Sequence, residues 1–150
     1  MERMSSDIKE LAAALIEFHK QAPKLTMDSD NPFFKSRYAS LYTILDTYTP
    51  TLVKCGLAVY QAPFMDSLET YLIHTSGQYV MSSTPIRSKD PSNPQAIGSA
   101  ITYARRYGLA AILSIAADPD DDGNAATEPK KEPVTEEQKS TKKGKGNGEL

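Results

Sequence analysis

The sequence predicts an α+β fold with two N-terminal helices, a three-stranded antiparallel meander and a long C-terminal helix. Two changes of period carry this expectation. Apolar residues recur at helical spacing over 7–20 and again from Ser40, give way over 57–86 to short segments rich in Val, Ile, Tyr and Thr, and return to helical spacing after Pro94. Helices gathered around one small antiparallel meander form a layered arrangement in which each apolar face finds a partner.

The first helix opens at Asp7 with Glu10 in capping-box spacing, places Ile8, Leu11, Ala12, Leu15 and His19 on one face, and stops before Pro23. The second begins near Ser40, with Leu41, Ile44, Leu45 and Tyr48 on one face. Thr49-Pro50 predicts a kink or restart there, and Gly56 is the expected C-terminal glycine. Strands follow at 57–62, 68–75 and 78–86, joined by turns at 63–66 and Ser76-Gly77. An exposed loop over 87–93 carries Lys89 near its tip. The last helix runs from Pro94 to about Ile115, with a narrow stripe of Ile97, Ala100, Ile101, Ala104, Gly108, Ala111 and Ile112 suited to close packing on a sheet. Arg106 points away from that stripe, with Ser99, Thr102 and Tyr103 around it, and Arg105 and Tyr107 flank it.

Residues 1–122 are expected to form one domain. From Gly123 to Leu150 apolar residues almost vanish among Lys, Glu, Gly, Ser, Thr and Pro, so 123–150 is expected to be a disordered charged tail. The lone Cys55 excludes an internal disulfide, and the N-terminus lacks a signal-type apolar core. No run reaches the roughly 20 apolar residues that cross a bilayer. A soluble, cytoplasmic protein without a membrane partner is expected. The net charge of -2 does not advertise a polyanion ligand, so any basic surface must be local.

Two clusters supply such a surface. The segment Asn31-Pro-Phe-Phe-Lys-Ser-Arg-Tyr38 puts Lys35 and Arg37 among three aromatic rings, the combination that stacks unpaired bases and meets phosphates. The alternative is a hydrophobic lid with solvated cations. Thr102-Tyr-Ala-Arg-Arg-Tyr107 sets Arg106 on a helix surface beside hydroxyls and rings, where a guanidinium fork suits phosphate oxygens. Its alternative is an ordinary solvated helix surface with Arg105 or Arg106 paired to a carboxylate. The run Asp118-Pro-Asp-Asp-Asp-Gly123 begins like a calcium loop but has Pro129 where the bidentate Glu should stand. No metal site is expected there. His19, His74 and Cys55 have no catalytic partners nearby in the sequence, and no phosphate-cradling GxxxxGK[ST] loop occurs.

These segments occur in order with His74-Thr-Ser-Gly77, Gln95 and Gly98-Ser-Ala-Ile-Thr-Tyr-Ala-Arg-Arg-Tyr107, and together they resemble the ERF (essential recombination function) family of phage-type single-strand annealing proteins over about residues 8–124. The resemblance implies a β-β-β-α core, ATP-independent binding of single-stranded DNA, annealing of complementary strands, and assembly into rings or filaments. It implies no catalysis and no cofactor. Arg105 and Arg106 would carry the phosphate contacts, with Lys35, Arg37, Tyr38 and Tyr103 beside them. The tail's mixed Lys and Glu blocks match no family motif and leave two alternatives, a tether for a partner such as a host single-strand-binding protein or an aid to solubility. The competing readings are a small metal-dependent nuclease built on Asp118, Asp120, Asp121 and Asp122, and a scaffold that acts through its charged tail.

Overall fold

A computed structural model of the chain describes residues 2–31 and 36–118. Along them lie α1 (Lys9–Gln21), β1 (Ser29–Asn31), β2 (Ser36–Tyr38), α2 (Leu41–Lys54), β3 (Leu57–Phe64), β4 (Ser67–His74), β5 (Tyr79–Pro85) and α3 (Pro94–Ile112). The fold is α+β as expected, but the order differs, because an antiparallel β1–β2 hairpin separates the first two helices. Three-residue strands are too short to show alternation, so this ladder is invisible to a periodicity argument. Its cross-strand pair Asp30↔Arg37 was the one available signal.

The meander forms as expected, in the order β3-β4-β5. Leu57 pairs with His74, Phe64 with Ser67 and Ile73 with Tyr79, so both hairpins are in continuous register. Positive φ at Met65 (53°) and Gly77 (86°) supplies the reversals. On β4, Leu68, Thr70 and Leu72 are buried in strict alternation and face the helices. Residues 3–5, read from the sequence as a mere N-terminus, add to the edge of β5: Met81 N–H donates to Arg3 O at 2.7 Å and Ser5 N–H to Tyr79 O at 3.0 Å.

The core joins Leu11 and Phe18 of α1 to Ile44, Tyr48 and Leu52 of α2, Leu57 and Leu72 of the sheet, and Leu109 and Leu113. Each such side chain contributes about 1.5–3 kcal/mol by leaving water. In α1 the buried ring is Phe18, and His19, expected on the apolar face, is exposed. The start of α1 also differs from the expected capping box. Ile8 stands at its N-cap without a side-chain bond, and Asp7 accepts from Lys9 N–H.

Helix α2 is capped by Ser40, whose hydroxyl accepts from Thr43 N–H, and it continues through Pro50 without the expected restart. Proline removes the bond to the carbonyl four residues back. That residue, Asp46, is exposed, so its carbonyl lies near water. Helix α3 begins at Pro94 behind the Asn93 cap and ends at Ile112, three residues short of the expected end. Ala104 and Gly108 face the sheet as expected, whereas Ile97 and Ala111 are exposed and Arg106 and Leu109 are buried instead. Among the described residues no helix is long and apolar enough to cross a membrane.

Candidate nucleic-acid interface

Arg106 lies at the meeting of α3, β2 and the segment after α3. Its guanidinium carbon is 4.4 Å from the ring centre of Tyr38, 4.7 Å from that of Tyr107 and 5.7 Å from that of Tyr103. Its Nη1 donates to Asp118 Oδ1 at 2.6 Å. Only 9% of the residue is exposed, which corrects the expectation of a solvent-facing guanidinium. Arg106 is paired to a carboxylate, but beneath covering groups rather than on a solvated helix surface. A helical wheel cannot see what folds over a helix, and here the chain returns across it. Ser114 turns with φ 52°, Leu113 and Ala117 are buried, and Ala39 N–H donates to Ala117 O at 2.9 Å, which brings Asp118 against α3.

The rings around Arg106 are only partly covered. Tyr103 and Tyr107, one helical turn apart, have ring centres 4.3 Å apart and exposures of 59% and 39%. Burial, helped by a hydrogen bond with Tyr103 and the nearby Asp118 carboxylate, pushes the Tyr107 phenol up to about 12 against the opposing pull of Arg106. The Tyr107 ring therefore stays neutral at ordinary pH. The i, i+4 spacing of the two tyrosines was the sequence signal that could have added Tyr107 to the site.

The remaining expected residues are dispersed. Arg105 turns toward the sheet, where its Nε donates to Gln61 Oε1 at 3.3 Å while Gln61 Nε2 donates to the Arg105 carbonyl at 3.0 Å. Arg37 on β2 is 65% exposed in its side chain, with Nε 3.6 Å from Asp30 Oδ1. Lys35, Phe33 and Phe34 lie outside the described residues, as do Asp120, Asp121, Asp122 and the expected tail. Asp118, the described member of the acidic run, is held by Arg106. Among the described residues no three His, Cys, Asp or Glu side chains gather as a metal site would need.

A groove of about 560 Å³ opens beside this cluster, between Tyr38 and the start of α2 on one side and α3 on the other. Arg106 and Tyr103 line it together with Gln95, Ser99 and Thr102, which add amide and hydroxyl groups. Asp28 braces the wall formed by α2. Its carboxylate accepts from Ser40 N–H at 2.8 Å, Ser40 Oγ at 2.9 Å and Thr43 Oγ1 at 2.8 Å. The Ser40 backbone bond, then the Thr43 hydroxyl, hold that carboxyl down at about 2. The groove thus combines flat aromatic surface, neutral hydrogen-bonding groups and one buried cation.

The family model of the ERF superfamily matches residues 11–147. This chain belongs to the ERF superfamily. The ERF match contains every residue lining the groove and runs beyond residue 122, where the folded domain was expected to end. ERF proteins are phage-type recombination proteins of the strand-annealing kind. Of the four carboxylates of the nuclease reading, Asp120, Asp121 and Asp122 lie outside the described residues. No curated protein and no solved structure matches the chain.

Proposed function

We propose that this ERF protein binds single-stranded DNA in the groove between β2, the start of α2 and α3, and anneals complementary strands without ATP or covalent chemistry. The observation that carries this reading is the tyrosine cluster about Arg106, opening on a groove lined by amide and hydroxyl groups. Unpaired bases stack on exposed rings at about 1–3 kcal/mol each, whatever their sequence. Tyr103 offers such a ring, Tyr107 braces it, Tyr38 holds the neighbouring Arg106, and Arg37 on the same strand as Tyr38 would meet phosphate. Lys35, one residue before β2, would add a second cation. Arg105 steadies α3 through Gln61 rather than meeting phosphate.

Contacts of this kind carry little base information, so sequence preference should be weak. Annealing then follows from concentrating two strands and reducing their repulsion, with Watson–Crick pairing as the driving force. Assembly of several copies into a ring or filament would join the grooves into one track.

Binding of fluorescent poly-dT at low salt tests the reading. Tyr103→Ala should bind about 5- to 150-fold more weakly than the parent, the loss of one stacked base, while its circular dichroism is unchanged. A parent protein that binds no poly-dT at low salt ends the proposal. The same protein should speed the pairing of complementary labelled oligonucleotides without nucleotide present.

A further inference from the structure

Arg106 is a cation lining the groove, yet its charge is already matched. Asp118 sits 2.6 Å from Nη1, the length of a strong charge-assisted hydrogen bond, and its side chain is 33% exposed. That placement is built rather than incidental. The backbone bond from Ala39 to Ala117 and the burial of Ala117 at 4% exposure pin the residue just before it. A carboxylate held in this way stands where a phosphate oxygen would bind, since both present paired anionic oxygens to a guanidinium fork.

We infer that Asp118 is an internal competitor for the phosphate-binding edge of Arg106, so that DNA enters the groove by exchanging the Asp118 carboxylate for a backbone phosphate. This rests on the groove being the DNA site, and it adds what sets the affinity there. While the pair is intact, Arg106 and Asp118 together bring no net charge to the groove and attract no counter-charge. Once Asp118 is displaced, the guanidinium stays fixed by Tyr38 and Tyr107 and meets phosphate in a prepared orientation. The exchange costs one charge-assisted bond and forms another, which keeps strands bound loosely enough to rearrange and pair.

The test compares poly-dT binding by the parent, Asp118→Asn and Asp118→Glu across a salt series, with thermal melting of each. Asp118→Asn keeps a hydrogen-bonding oxygen but loses the charge. It should bind roughly tenfold or more tightly, because no ion pair need be broken. Its plot of log affinity against log salt should keep the parent's slope, because Arg106 meets the same phosphate in both complexes. Asp118→Glu, which keeps the carboxylate, should behave as the parent. If Asp118→Asn does not fold, Asp118→Ser carries the same test. A folded, uncharged variant that binds equally or more weakly overturns the inference and makes Asp118 only a brace for Arg106. Absence of binding by parent and variants alike overturns the groove reading itself.

Discussion

At Arg106 one guanidinium is met by four side chains, Tyr38 from β2, Tyr103 and Tyr107 from α3, and Asp118 from the segment beyond it. Taking such a charge out of water is costly unless every side finds a partner, and here the rings and the carboxylate supply them. Two glycines of α3 show how much a single Cβ depends on place. At Gly108 it would meet Thr70 Oγ1 at 2.7 Å and Thr84 Oγ1 at 3.2 Å, and Thr70 is fully buried and cannot yield. Gly108→Ala should therefore lower stability by about 1–3 kcal/mol in urea titration. At Gly98 nothing lies within 4 Å, so Gly98→Ala should raise stability by about 0.5–1 kcal/mol through helix propensity alone. Asp28 adds a dependence on pH. Its folded-state value, down at about 2, lies below that of an unfolded aspartate, so its contribution is complete above about pH 4 and lost as pH falls toward 2. Thermal melts should find Asp28→Ala less stable than the parent at pH 6, with the gap closing by pH 2.

Among the elements, α2 and the meander were legible because their signals are local. Ser40 caps α2, and Gly56 closes it with φ 72°, a conformation that side chains with a Cβ resist. A Cβ there would also approach Thr75 Oγ1 at 3.2 Å. Gly56→Ala is accordingly expected to cost about 1 kcal/mol or more, read as a lower urea midpoint with an unchanged slope. The β1–β2 hairpin and the addition of residues 3–5 to β5 were not legible, because each pairs only a few residues and owes its pairing to what lies beside it. In α1 the pattern gave the helix but put His19 rather than Phe18 on the inner face. Phe18 packs edge-on against Tyr48 of α2 with centroids 5.7 Å apart, a contact set by how the two helices cross.

For the molecule as a whole, the net charge of -2 leaves no general attractive field for a polyanion, so on the proposed reading attraction to DNA comes from a few placed cations. On the proposed reading, Arg37→Ala should reduce the salt slope of poly-dT binding by about 0.7 with little change in stability, since its side chain is 65% exposed and its pairing with Asp30 is a surface one. The sequence by itself determined the α+β class, the meander and its turns, the start of α3 and the ERF resemblance, because each depends on residues close together along the chain. It also brought Tyr38, Tyr103 and Arg106 forward as members of one site. Only the tertiary structure decided that Arg106 is buried and paired while Arg105 is turned to Gln61. Helical periodicity fixes the direction in which a side chain leaves its helix, whereas its burial depends on the distant segment that packs there, and for Arg106 that segment is the return of the chain through Ala117 to Asp118.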